Sequence, residues 1–127
     1  MRLLVAGGAG FIGSNFIHYM LETYPDYFIV NYDKLTYAGN LENLKDVEGS
    51  NNYEFVHGDI ADLDKLKEVM IEHDIDHVIN FAAETHVDRS IHGGAKEFVM
   101  TNTLGVQMLL DAAKEVGIKK MVNVSTD

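Results

Sequence analysis

The chain has 127 residues, 46% of them hydrophobic, no cysteine, and 10 Lys and Arg against 20 Asp and Glu, for a formal net charge of −10. One domain with its own core is expected at that length; the absence of cysteine excludes disulfides and thiolate metal sites, and the acidity argues against generic nucleic-acid binding, which neutralises phosphates with basic side chains. No apolar run is long enough for a membrane span, and Met1-Arg2 leads directly into a strand rather than a secretory leader, so a cytoplasmic protein is expected.

Arg2-Leu3-Leu4-Val5-Ala6 reads as a short apolar strand that runs into Gly7-Gly8-Ala9-Gly10-Phe11-Ile12-Gly13. A helix over Phe11 to Tyr24 follows, with Ile12, Phe16, Ile17, Met20, Leu21 and Tyr24 at the spacing of one apolar stripe, and Pro25 ends it. Phe28-Ile29-Val30-Asn31-Tyr32 is a second strand, and Asp33 stands at its end. Leu41 to Val47 predicts a short helix or turn. Tyr53 to His57 alternates as a third strand. Asp62 is placed to cap a helix over Leu63 to His73, with Leu63, Leu66, Val69 and Met70 inward. His77 to Ala82 is a fourth strand, followed by a polar loop to Gly94. A long helix then runs from about Ala95 to Val116, with Phe98, Met108, Leu109, Ala112 and Val116 apolar. Met100, Leu104 and Leu110 fall off that stripe. Gly117 stops it, and Met121 to Ser125 is a fifth strand.

Strands alternating with helices predict an α/β fold, a Rossmann-type doubly wound parallel sheet with strand order 3-2-1-4-5. Ligands of such sheets sit at the carboxyl ends of the strands, where the polar segments of this chain fall. The first turn carries two overlapping glycine spacings, Gly8-x-Gly10-x-x-Gly13 and Gly7-x-x-Gly10-x-x-Gly13. Glycines let the backbone turn tightly and approach a diphosphate, and the helix amino end then faces the anion. Asp33 lies 20 residues past Gly13, where an acid accepts hydrogen bonds from an adenosine ribose. Its charge disfavours a 2′-phosphate, so NAD is expected over NADP, although Lys34 follows it. His73 and His77 are separated by a helix end and a turn, and no recognised metal spacing is present, so no metal is expected.

The segment Phe81-Ala82-Ala83-Glu84-Thr85-His86-Val87-Asp88-Arg89-Ser90-Ile91 is dense in polar groups for a connection. With Gly7 to Ser14, with Asp33-Lys34-Leu35-Thr36-Tyr37-Ala38-Gly39-Asn40, and with the terminal Ser125-Thr126-Asp127, it resembles the extended short-chain dehydrogenase/reductase family, and within it the nucleotide-sugar 4,6-dehydratases. The resemblance covers the whole chain. It implies NAD as cofactor, with Gly7, Gly10, Phe11, Ile12 and Gly13 at the diphosphate and Asp33, Lys34, Leu35 and Thr36 at the adenosine ribose. Asp59 and Ile60 would flank the adenine. Phe81, Ala82, Ala83 and Glu84 would run beneath the nicotinamide half, and Thr101 would face the cofactor from the long helix. Thr85, a serine in most of the family, would touch the nucleotide-sugar, with dTDP-glucose the leading substrate. Thr126 would bond the sugar 4-hydroxyl, and Asp127 would be the acid that protonates the departing 6-hydroxyl. The outer face of the long helix would join a partner subunit in a homodimer.

The resemblance also implies parts beyond Asp127: a glutamate base, a Tyr-x-x-x-Lys pair and a smaller domain that grips the nucleotide-sugar. Residues 1–127 therefore read as the N-terminal, NAD-binding part of a longer lyase, inactive alone. Other nucleotide-sugar dehydratases and 4-epimerases share this half of the family pattern. An epimerase usually lacks an aspartate after the Ser-Thr pair, so Asp127 favours a dehydratase. A non-catalytic NAD-binding module is the alternative from another class.

Overall fold

A computed structural model describes residues 1–34, 41–81 and 106–124. In chain order the elements are β1 (Arg2–Ala6), α1 (Phe11–Thr23), β2 (Phe28–Asp33), a 3₁₀ helix (Leu41–Val47), β3 (Tyr53–His57), α2 (Leu63–Glu72), β4 (His77–Asn80), α3 (Val106–Val116) and β5 (Lys120–Asn123). All four strand pairings are parallel, and the sheet order is β3-β2-β1-β4-β5. The doubly wound topology expected from the alternation of elements is thus the one observed. Its boundaries differ slightly. β2 runs on to include Asp33, β4 ends at Asn80, and β5 spans Lys120 to Asn123. Of the long helix only α3 falls among the described residues, so Phe98, Met100 and Leu104 lie outside them.

The period-2 alternation of β1 explains the two cores. Leu4 and Ala6 face one side with Val30, Tyr32 and Val78, where Leu66, Val69 and Met70 of α2 and Leu109 and Ala112 of α3 cover them. Leu3 and Val5 face the other side with Ile29 and Tyr53, under Ile17 of α1 and Leu44 of the 3₁₀ helix. Strands buried on both faces need near-continuous apolar runs, which β1 supplies. Each fully buried Leu, Ile or Val contributes about 1.5–3 kcal/mol.

One part of the predicted helix stripe is corrected. Phe16, Ile17, Met20 and Leu21 pack on the sheet as expected, but Ile12 and Tyr24 are exposed. Ile12 lies in the first turn, above the strand ends, and Tyr24 is the C-cap, beyond the last residue that meets the sheet. Its ring stacks on Tyr27 instead, centroids 4.8 Å apart.

The caps form as the sequence predicts. Asp62 accepts the Lys65 N–H at 3.2 Å. Gly117 takes a φ of +86°, and Ala113 O receives the N–H groups of Gly117 and Ile118. Replacing Asp62 with alanine leaves the first turn of α2 without that acceptor, and a loss of about 1 kcal/mol in thermal or urea unfolding is expected.

The amino ends of the strands are tied by Arg2. Its Nε donates to His73 O at 2.5 Å and its guanidinium lies 4.4 Å from the Phe28 ring centroid. The two histidines go separate ways: His73 Nε2 meets Glu54, and His77 Nδ1 meets Asp76 Oδ1 at 2.6 Å.

Candidate functional site

The sheet register brings the carboxyl ends of the strands to one level. Ala6 stands opposite Tyr32 and Asn80, Asp33 opposite His57, and Asn80 opposite Asn123. The glycine turn rises from the centre of this edge. Gly7 takes a φ of +78°, a region L side chains avoid, and its N–H donates to Tyr32 O at 2.9 Å. Gly10 then closes the turn, its N–H donating to Gly7 O at 3.3 Å. Gly13 sits one helical turn on, hard against the same backbone: a Cβ there would lie 2.4 Å from Gly7 O. Only a residue without one lets α1 start so close to β1.

Gly10 is the N-cap of α1 and has no side chain with which to cap it, and the first turn holds no acidic residue. The positive end of this 13-residue helix is therefore not neutralised by its own first turn. Phe11 is 77% exposed and Ile12 56%, so two large apolar groups flank that end in solvent. The arrangement suits a ligand with an anionic centre and flat apolar flanks.

Asp33 links this turn to β2. Its Oδ2 accepts the Ala9 N–H at 2.9 Å, although the residue is only 9% exposed. Its carbonyl accepts the Gly58 N–H at 3.0 Å, which fixes the loop after β3. In that loop Asp59 is held three ways. Its carbonyl accepts from Tyr32 Oη at 2.8 Å, its Oδ1 accepts the Ala61 N–H at 2.9 Å, and its Oδ2 lies 3.8 Å from Lys34 Nζ. Burial pushes the Tyr32 phenol well above its usual range, and the nearby Asp62 and Asp59 carboxylates add to the effect. The phenol therefore remains a proton donor throughout the physiological range.

The structure thus brings Gly7, Gly10, Phe11, Ile12, Gly13, Asp33, Lys34 and Asp59 to one edge. Ile60 and Phe81 are adjacent but turn inward. Ile60 is part of the core beside Tyr32 and Leu66. Phe81 donates its N–H to Ala6 O at 2.7 Å, and its ring packs 5.3 Å from that of Phe16. Leu35, Thr36, Tyr37, Ala82, Ala83, Glu84, Thr85, Thr101, Thr126 and Asp127 lie outside the described residues. Three residues without a sequence motif are built into the site: Tyr32 through its bond to Asp59, Asn31 beneath the glycine turn, and Tyr53 through its bond to Asn31. The one hint in the sequence is the amide of Asn31 directly after the apolar run Phe28-Ile29-Val30; nothing there marks Tyr32 or Tyr53.

A dinucleotide fits these residues: the turn and bare helix end suit a diphosphate, and a buried acid at the end of β2 suits a ribose. A family model described as GDP-mannose 4,6 dehydratase matches residues 4–127. The low-salt glycan biosynthesis protein Agl12 of Haloferax volcanii is 49% identical over 127 residues, covering 100% of this chain and 40% of its own length. The dTDP-D-glucose 4,6-dehydratase of Mus musculus is 48% identical over 126 residues, covering 99% and 35%. The crystal structure of dTDP-glucose 4,6-dehydratase from Bacillus anthracis in complex with NAD matches with a TM-score of 0.88 and 45% identity, over 99% of this chain and 37% of that one. The chain spans 35–40% of the length of these relatives.

Proposed function

The chain belongs to the GDP-mannose 4,6 dehydratase family, and on that premise we propose that it is the NAD-binding, N-terminal part of a nucleotide-sugar 4,6-dehydratase that acts on dTDP-glucose. The observation that carries the reading is the Ala9 N–H bonded to the Asp33 carboxylate. It joins the glycine turn and the acid at the end of β2 into one unit, as a diphosphate and its adjoining ribose require. The choice of dTDP-glucose draws on relatives of that name at 45–48% identity. The share of those relatives that the chain spans supports placing the remaining acid–base groups and the sugar-gripping domain outside these 127 residues.

In this reading Gly7, Gly10, Phe11, Ile12 and Gly13 receive the diphosphate, and Asp33, Lys34, Leu35 and Thr36 the ribose. Asp59 and Ile60 flank the adenine. Phe81, Ala82, Ala83, Glu84 and Thr101 line the nicotinamide half. Bound there, NAD supplies a reversible two-electron oxidation of the sugar. Thr85 and Thr126 contact the sugar, and Asp127 holds the proton that leaves with the 6-hydroxyl. Asp127 directly after Thr126 favours a dehydratase over a 4-epimerase. Each missing acid or base costs about 10²–10⁴-fold in rate, so the 127 residues alone bind coenzyme without turnover. A homodimer in the cytoplasm completes the proposal; the exposed Leu110 of α3 supports a partner on that helix. No helix among the described residues is long and apolar enough to cross a membrane.

Calorimetric titration tests the reading. Saturable NAD⁺ binding is expected, weaker NADP⁺ binding, and no dehydration of dTDP-glucose by the isolated chain. A chain that takes up no NAD⁺ refutes it. Coenzyme preference comes from Asp33, whose charge repels a 2′-phosphate, while the Lys34 ammonium is turned to Asp59. Lys34→Ala is therefore expected to leave the preference for NAD⁺ intact and to change stability by less than about 1 kcal/mol, as for other exposed ion pairs.

A further inference from the structure

Asn31 lies wholly buried in β2, after the apolar run Phe28-Ile29-Val30. Its Nδ2 donates to Tyr53 Oη on β3 at 3.1 Å. Its Oδ1 is buried and has no hydrogen-bond partner among the described residues. That oxygen lies against the glycine turn: a Cβ built on Gly8 would come within 2.4 Å of it. Asn31 and Asp33 are two apart and so face the same side of β2. One strand therefore carries the carboxamide beneath Gly8 and the carboxylate that takes the Ala9 N–H.

A buried acceptor without a donor is a cost to the fold. Leucine has the same branching, carries no polar atom of its own to leave unpaired, and would suit a strand buried on both faces, at the loss of the bond to Tyr53. Local conflicts of this kind concentrate at functional sites. Leucine also differs from asparagine in shape. Its methyl group is wider than an amide oxygen, and its branched end is not planar. Against Gly8 it would lift the turn away from β2 while leaving Asp33 in place.

We propose that Asn31, braced by Tyr53, is a positioning residue for the coenzyme diphosphate. Its flat carboxamide sets the height of the Gly7–Gly10 turn above β2, so that the first-turn N–H groups of α1 and Asp33 engage diphosphate and ribose together. The proposal rests on the coenzyme reading above.

The test compares NAD⁺, ADP-ribose and adenosine on the wild-type chain and on Asn31→Leu and Tyr53→Phe. Asn31→Leu still unfolds cooperatively but binds NAD⁺ and ADP-ribose about tenfold more weakly, the equivalent of one misplaced hydrogen bond. Adenosine, which has no diphosphate, binds unchanged. Tyr53→Phe frees the carboxamide to rotate and moves the same two ligands in the same direction by a smaller factor. A residue needed only for folding would instead weaken all three ligands together, in step with melting temperature. If wild type binds NAD⁺ and Asn31→Leu binds it as tightly, or loses adenosine equally, the positioning role is wrong and the coenzyme reading stands. Should Asn31→Leu fail to fold, Tyr53→Phe decides by the same comparison. If wild type binds neither NAD⁺ nor ADP-ribose, both fall.

Discussion

Adding a methyl group at Gly13 is expected to cost the chain at least about 2 kcal/mol of stability and to abolish NAD⁺ binding. Two effects oppose each other. Alanine is the better helix former, by up to about 1 kcal/mol. The new Cβ, however, would sit 2.4 Å from Gly7 O, 2.8 Å from Gly8 Cα and 3.2 Å from Gly7 C. All three are backbone atoms, so no side chain can rotate out of the way. Overpacking of that kind costs about 1–3 kcal/mol and sometimes more, and it exceeds the gain in propensity. Relief requires α1 to move off β1, which pulls on the Gly7–Tyr32 and Gly7–Gly10 hydrogen bonds. The turn is thereby opened where a diphosphate would sit. Gly49→Ala is the control, because nothing lies within 4 Å of its Cβ position; it should stay within about 0.5 kcal/mol of wild type. Thermal melts with NAD⁺ titrations decide the matter, and an unshifted melting temperature for Gly13→Ala would contradict the packing described.

Asp33→Ala is expected to weaken NAD⁺ binding about a hundredfold and to destabilise the chain by roughly 2–3 kcal/mol. The carboxylate is buried and accepts the Ala9 N–H at 2.9 Å. Hydrogen bonds to charged groups contribute about 1.5–3 kcal/mol, and the donor left behind in a buried position adds its own desolvation cost. The ligand loses its ribose acceptor as well, so binding falls further than stability. Asp33→Asn separates charge from shape. It keeps a side-chain acceptor near Ala9 and removes the repulsion of a 2′-phosphate, so the ratio of NADP⁺ to NAD⁺ affinity should rise. A ratio equal to that of wild type would show that the charge of Asp33 plays no part in coenzyme choice.

Much of this architecture can be read from residue order, because the signals are local and strong. Asp62 and Gly117 mark helix ends by chemistry that hardly depends on the rest of the fold. The β–α alternation limits the sheet to a few topologies, and the observed order is the one expected. Helical spacing was less informative at the ends of α1. Ile12 and Tyr24 continue the apolar stripe, but periodicity cannot tell where the sheet beneath the helix stops. At the site, the glycines and Asp33 announced themselves by spacing. Asn31 and Tyr53 did not, since neither motif nor period marks a pair that meets across two strands. Tyr32 was hidden for a related reason. As a strand residue it reads as core, and only the third dimension brings its hydroxyl to the carbonyl of Asp59.

The burial of Tyr32 and Tyr53 on opposite faces of the sheet has a spectroscopic consequence. The chain contains no tryptophan and only six tyrosines, so its near-ultraviolet dichroism and intrinsic emission come largely from phenol rings. Tyr32, next to Asp33, and Tyr53, bonded to Asn31 of the same strand, are buried, whereas Tyr19 and Tyr24 are exposed. Loosening around β2 would blunt the dichroic bands of the two rigid chromophores while backbone signals stayed constant. The polypeptide thus carries an unlabelled optical probe of the strand that ends at Asp33.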